Sequence, residues 1–298
     1  MESPQPHSNF SELIPNRMAA VGAPLADLFR DYKADIDELL NKISTYLEEK
    51  NDEGLHRAAR DMPLDEFTCL KFVLSAQRKK EKAKEVAYER LVETLTFRDK
   101  YRKSMERARE NPEIESIIEM TCGGFLGDEF VLVNHYGRAD FASVKKKFES
   151  VDAIFGEAVV ASEQMRLILD RRSRETGRLC KVLSVVNLEG LSYSIGSNVT
   201  VMRALGQLSR SNEVNYPQML SRAVILHAGA TFRMLMGLMK PFLSKNTLDK
   251  LVVCGVRGHN KDDCSSCPFV KKYVNGIDEI PKDVGGKREV TKVWNPSS

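Results

Sequence analysis

The sequence predicts an α/β protein with a mostly parallel β-sheet, and three observations predict it. Short apolar runs rich in β-branched residues recur at Val182–Val186 (VLSVV), Ala223–Leu226 (AVIL) and Leu251–Cys254 (LVVC). Helical patterns separate these runs, as expected of strands covered on both faces in a mostly parallel sheet. Ahead of them, Leu25–Leu47 and Leu64–Met105 carry apolar residues at helical spacing, which predicts an all-α amino-terminal lobe.

Taken in order, residues 1–22 open with MESPQPHSNF, polar and proline-containing, and are expected to form a flexible arm rather than a signal peptide. The helical lobe spans 23–112, with one helix over Leu25–Leu47 and two more over Leu64–Met105. Glu110-Asn111-Pro112 marks a linker, after which the α/β domain covers 113–290 and a polar tail covers 291–298. A further strand is expected at Phe130–Val133.

Between the AVIL and LVVC strands lies an unusually apolar helix. At 100° per residue, Phe232, Leu235, Met236, Met239, Phe242 and Leu243 share one face. Met234 and Leu238 widen the apolar arc to roughly 200°, twice the stripe that a helix buried on one side requires. Such a helix is either wholly buried or is a lid that exchanges one apolar partner for another, such as core for membrane. Its methionines suit either role, since flexible thioethers repack readily.

Composition narrows the function classes. The chain has 298 residues with 45 Lys+Arg against 42 Asp+Glu, a net charge of +3, so no global field calls for a nucleic-acid partner. Nothing resembles a run of 18 apolar residues, and a cytoplasmic protein with reduced thiols is expected. The basic runs Arg78–Lys84 and Lys145–Lys147 are read as solvated faces or as contacts to an anionic membrane. Cys254, His259, Cys264 and Cys267 have the spacing C-x4-H-x4-C-x2-C. Three thiolates and an imidazole would suit tetrahedral zinc, and Cys264 with Cys267 would suit a redox pair, but a plain surface loop is the preferred reading and no metal is favoured. An enzyme is not expected. Phosphate-loop, dinucleotide and GxSxG patterns are missing, and neither His135 nor His227 has a sequence partner for catalysis.

The order of several short motifs resembles the CRAL-TRIO lipid-binding domain of phosphatidylinositol-transfer-like proteins. Leu70-Lys71-Phe72-Val73-Leu74 is similar to the family's Leu/Phe-rich helix, and Glu81–Tyr101, closing in Phe97-Arg98, to its helix ending in Trp-Arg. Asn134-His135-Tyr136-Gly137-Arg138-Ala139 partly matches an Asp-x-x-Gly-Arg-Pro turn, and Val185–Gly190 resembles a strand ending in Asp-Leu-x-Gly. Tyr216-Pro217, Lys240-Pro241-Phe242-Leu243, Lys250 and Pro281–Gly286 follow at the family's spacing.

The resemblance implies a β-sheet floor flanked by helices, an apolar cavity holding one lipid, and a mobile gate formed by the Ala230–Leu243 helix. Phe232, Leu235, Met236, Met239, Phe242 and Leu243 would be its apolar face. It implies lipid head-group contacts at Lys250, Thr247, Gln218 and Ser184, with Gln218 standing where the phosphatidylinositol branch has glutamate. Positions matching the phosphatidylcholine contacts are Phe130, Phe141, Val182 and Ser184, of which only Ser184 keeps a hydroxyl. The expected function is therefore lipid binding and transfer, with phosphatidylinositol the favoured ligand. The expected partners are that lipid and, transiently, a membrane surface; no cofactor beyond the bound lipid and no particular protein partner is specified. Carriage of a neutral hydrophobic molecule and a lipid-gated scaffold or regulator of another enzyme are the alternatives.

Overall fold

A computed structural model of the protein describes residues 20–111, 113–114, 116, 118–139, 150–191, 199–228, 232, 236–237, 240, 245–253, 281–282, 287–290 and 292–294. Five helices come first: α1 (Leu25–Lys50), α2 (Glu53–Asp61), α3 (Glu66–Ala76), α4 (Ala83–Lys100) and α5 (Arg102–Glu110). Then follow β1 (Met120–Leu126), β2 (Glu129–Asn134), α6 (Val151–Thr176), β3 (Lys181–Asn187), α7 (Val199–Asn215), β4 (Leu220–Leu226), α8 (Lys245–Asp249), β5 (Leu251–Val253) and β6 (Lys292–Trp294).

The helical lobe is richer than expected. Where two helices were predicted over 64–105, α3 and α4 are separated by a 3-10 turn at Gln77–Lys82, in which Lys80 takes a left-handed φ of 51°, and α5 begins at Arg102. The lobe also contains α2, nine mostly charged and small residues with Leu55 the one large apolar side chain, which gave no long apolar period. Asp52 and Asp65 cap α2 and α3 by accepting from Leu55 N–H and Thr68 N–H. Phe67 to Leu74 of α3 are all buried, and Ile36, Leu39, Ile43 and Leu47 of α1 pack in the same core. Within the basic run, Lys84 pairs with Asp35 and Glu38 of α1, and Arg78 with Asp249, so these two cations are engaged within the fold.

The strands order as β5-β4-β3-β2-β1-β6. The β2–β3, β3–β4 and β4–β5 pairs are parallel, and β1 runs antiparallel to both β2 and β6. Expected strands at 130–133, 182–186 and 223–226 are present and each is longer; the fourth is described over Leu251–Val253, and Cys254 and the rest of the cysteine–histidine set lie outside the described residues. Two strands were not anticipated. In β1 the register slips between Cys122 and Gly124, and a Cβ on the intervening Gly123 would sit 3.1 Å from Val131 and 3.2 Å from Pro281. A bulge of this kind breaks the alternation by which a strand is read. The predicted polar tail at 291–298 contains β6, three residues that are strand only because they pair with β1.

Gly22, the last residue of the predicted arm, is tied to the fold: its N–H donates to the Leu179 carbonyl at 2.8 Å, and Leu179 N–H donates to the Ala23 carbonyl at 2.9 Å. Among the described residues, no helix is long and apolar enough to cross a membrane.

Lobe and sheet domain are joined by a buried chain of charges. Arg98 of α4 forks onto Glu163 of α6 at 2.9 and 2.8 Å. Arg166 binds the same carboxylate at 3.0 and 2.6 Å and reaches Asp170 at 2.8 Å, where Lys71 of α3 also binds at 2.7 Å. Burial alone would raise the Glu163 pKa, but the two guanidinium groups overcome it and hold the carboxyl well below its usual range. Glu163→Gln is expected to destabilise the fold by ~3–5 kcal/mol in urea unfolding, because two buried cations lose their shared anion. Since the folded pKa lies below the ordinary 4.5, this contribution is full above pH 4.5 and lost as pH falls through the folded value. The stability gap between wild type and variant should therefore narrow on acidification.

Candidate functional site

One face of the sheet floors a largely apolar cavity of about 470 Å³. The pleat sends alternate residues to this face: Leu132 and Asn134 from β2, Val182, Ser184 and Val186 from β3, and Leu251 from β5. On β4 the register shift after Leu220 preserves the pattern, so that Leu220, Ala223 and Ile225 all line the cavity. The walls are helical. Ile154, Phe155, Ala158, Ala161, Ser162 and Met165 of α6 recur at three- and four-residue steps, as do Leu208 and Asn212 on α7, with Tyr216 just beyond its end. Phe232 and Met236 close part of the remaining side.

The structure brings most of the described candidates together. Lys250, Thr247, Gln218, Ser184, Val182, Phe232 and Met236 all border this one cavity. Phe130 does not line it; the ring shares the cavity-facing side of β2 but packs against Phe125, centroids 5.1 Å apart, in the core. Phe141, Leu235, Met239, Phe242 and Leu243 lie outside the described residues, as do Cys254, His259, Cys264 and Cys267. The gate reading thus touches the described fold only through Phe232, Met236, exposed Gly237 and exposed Lys240.

The polar end of the cavity gathers groups that sequence reading did not connect. Lys250 Nζ donates to the Leu220 carbonyl at 2.7 Å. Lys181, fully enclosed at the start of β3, donates to Gln218 Oε1 at 2.7 Å. Gln218 follows Pro217 with a left-handed φ of 62°, a conformation that costs a non-glycine residue ~1–3 kcal/mol and persists only where its surroundings hold it. From the helical lobe, Arg90 donates to the Ser75 hydroxyl and carbonyl and approaches Glu213 at 3.8 Å. Burial, reinforced by the charge of Lys250 and opposed by Glu129, pushes the Lys181 pKa down to about 7. Burial and Arg78, opposed by Glu213, push Lys250 down to about 8. Desolvation dominates both shifts, as it does for ammonium groups taken out of water. The one trace of Lys181 in the sequence was a lysine opening an otherwise apolar run; Arg90 and Glu213 looked like ordinary helix-surface charges.

A second polar set sits toward the β2 end, where Asn134 Nδ2 donates to Ser184 Oγ at 3.2 Å and the Tyr136 phenol is raised in pKa by burial. Beside it, His135 is wholly buried and held by Thr121 at 3.1 Å and Asn187 at 3.4 Å, outside the cavity lining. The adjoining turn is packed so closely that a Cβ on Gly137 would fall 1.7 Å from the Glu189 carbonyl, which ties the Tyr136–Arg138 turn to the end of β3.

With this geometry in place, residues 129–286 match the CRAL/TRIO domain family. The match covers more than half of the 298 residues, and the chain belongs to this family. Over 78 residues the chain is 32% identical to the phosphatidylinositol/phosphatidylcholine transfer protein SFH4 of Arabidopsis thaliana, a stretch that is 26% of this chain but only 13% of that relative. The crystal structure of Sfh5 shares the fold with a TM-score of 0.53 at 16% identity, over 74% of this chain and 80% of that one.

Filling the cavity tests whether it is a binding volume. Ala161→Trp is expected to cost ~1–3 kcal/mol by overpacking, measured by thermal melting, while abolishing uptake of a fluorescent fatty-acyl probe. Unchanged uptake in a folded variant would move the binding site elsewhere.

Proposed function

We propose that this CRAL/TRIO protein carries one phospholipid with an anionic head group, the class to which phosphatidylinositol belongs, in the cavity between sheet and helices and exchanges it at membranes. The observation that carries this reading is a largely apolar cavity in which Lys250 stands with Thr247 and Gln218 at a polar corner. Each methylene withdrawn from water contributes ~0.8 kcal/mol, so acyl chains favour the apolar body over the cytosol. A phosphate at the corner gives the desolvated Lys250 the anion that its carbonyl partner does not supply. The named activity of the Arabidopsis thaliana relative supports the same direction.

Exchange requires an opening. The helix carrying Phe232 and Met236 is the candidate gate, since its apolar arc in the sequence is wide enough to face either the cavity or lipid. The reading is one of binding and transport rather than bond-making, because the cavity presents no nucleophile and base in partnership among the described residues, and His135 is engaged elsewhere.

Lys250→Ala is expected to lower phosphatidylinositol transfer between vesicles by about tenfold or more, the loss of one charge-assisted hydrogen bond, with little change in melting temperature. Unchanged transfer would remove Lys250 from the head-group site. Met236→Asp should slow exchange far more than Arg233→Asp, which changes the polar sector of the same helix; equal effects would exclude it as the gate. Native mass spectrometry after incubation with mixed vesicles identifies the cargo. A bound neutral lipid would favour a carrier of hydrophobic small molecules, and no bound lipid would favour a scaffold.

A further inference from the structure

Lys181 belongs to no binding motif, yet it decides what the cavity's polar corner offers a ligand. An ammonium group has three donors and no acceptor, so the carboxamide atom 2.7 Å from Lys181 Nζ is the Gln218 oxygen. The Gln218 amide nitrogen has no partner among the described residues, and Gln218 borders the cavity, so the polar group left for a ligand is its N–H pair. The neighbouring groups are Lys250, a donor, and Thr247, whose hydroxyl can donate.

Among the described residues, the carboxylates around this corner are already engaged. Glu129 is bound by Ser221 and Arg222, Glu213 faces Arg90, and Asp249 faces Arg78. A glutamate at position 218 would have presented an acceptor to a polyol hydroxyl and cancelled one charge. Glutamine oriented by Lys181 does neither, and the corner becomes a set of donors with an excess of positive charge. Oxygens that only accept, and that carry more than one negative charge, complement it best.

Resting on the lipid-carrier reading above, we propose that Lys181 is a positioning residue that turns the Gln218 amide toward the cavity as a donor, so that Gln218, Thr247 and Lys250 select a phosphomonoester dianion. Phosphatidic acid and inositol lipids phosphorylated on the ring both carry this chemistry, and free phosphate shares it. A phosphodiester linked to an unphosphorylated inositol ring brings one charge and a surface of hydroxyls that need acceptors as well.

The pH dependence follows from the groups facing the corner. A phosphomonoester takes its second charge near pH 6. Lys181, facing Lys250 and Glu129, and Lys250, facing Arg78 and Glu213, lose their protons near 7 and 8 in the free protein. A bound dianion raises both lysine pKa values, so affinity is full below the free values and falls as pH rises through them. Binding should therefore be bell-shaped, with its maximum between about pH 6 and 7.

The test uses the full chain loaded from phosphatidylcholine vesicles doped in turn with phosphatidic acid, a ring-phosphorylated inositol lipid, phosphatidylinositol or diacylglycerol. The expected result is uptake of either phosphomonoester lipid about tenfold above phosphatidylinositol, with the bell-shaped profile. Lys181→Met should erase that preference and the limb near pH 7 while the protein stays folded. Gln218→Glu, which keeps a partner for Lys181, should shift selectivity toward phosphatidylinositol. Phosphatidylinositol taken up best by wild type, or selectivity unmoved by either variant, overturns the proposal while leaving the carrier reading intact. Uptake of diacylglycerol alone, or of no lipid, overturns both. Inorganic phosphate binding as tightly as the lipids would assign the corner to a soluble phosphate and overturn its role as a head-group site.

Discussion

The carboxylate of Glu163 is the point on which the two halves of this molecule depend. It lies on α6, the helix that walls the cavity, and is shared by Arg98 from the helical lobe and Arg166 from its own helix. Through Arg166 and Asp170 the chain of charge continues to Lys71 on the central lobe helix α3. Buried ion pairs add little net stability compared with apolar packing, but removing one member leaves charges stranded without water. Such a network tolerates one relative placement of α3, α4 and α6, and with α6 fixed the cavity wall is fixed. The aromatic rings of Phe97, Tyr101, Phe155 and Tyr216 pack together beside the same junction, Phe97 next to Arg98, with centroids 4.9 to 6.3 Å apart.

That junction explains why the helical lobe is part of the cavity wall rather than an appendage to it. Arg90 and Ser75 border the cavity from the lobe side, and Arg78 holds Asp249 one residue before Lys250. The charge state of Lys250 consequently depends on a residue far away in sequence. At the other end, the bond between Lys181 and Gln218 fixes the chain where α7 hands over to β4 and holds Gln218 in its left-handed conformation. Cavity shape and cavity charge thus share the same supports, and neither can be altered at this corner without disturbing the other.

The parallel strands were legible because buried β-strands need continuous apolar, β-branched runs, and VLSVV, AVIL and LVV supply them. The long helix α1 was legible for the same reason at a different period. β1 was not, because Gly123 and Gly124 interrupt its alternation and its bulge answers to Val131 and Pro281 rather than to its neighbours in sequence. Nor was β6, where three residues become a strand only through pairing with β1. Of the site, the motif residues Lys250, Thr247 and Gln218 were readable as a group, whereas Phe130 was placed in the cavity by analogy and instead fills the core beside Phe125.

The amino-acid sequence by itself determined the α/β class, the leading helical lobe and the family to which the chain belongs, because these rest on local periodicity and on the order of short motifs. Only the tertiary structure decided which polar groups meet. Lys181 and Gln218, Arg98 and Glu163, and Lys71 and Asp170 are each separated by dozens of residues, and their meeting follows from how helices and sheet pack. Charge and hydrogen-bonding partners act through space at a few ångströms, so the direction of the Gln218 amide is set by contacts that no local pattern encodes.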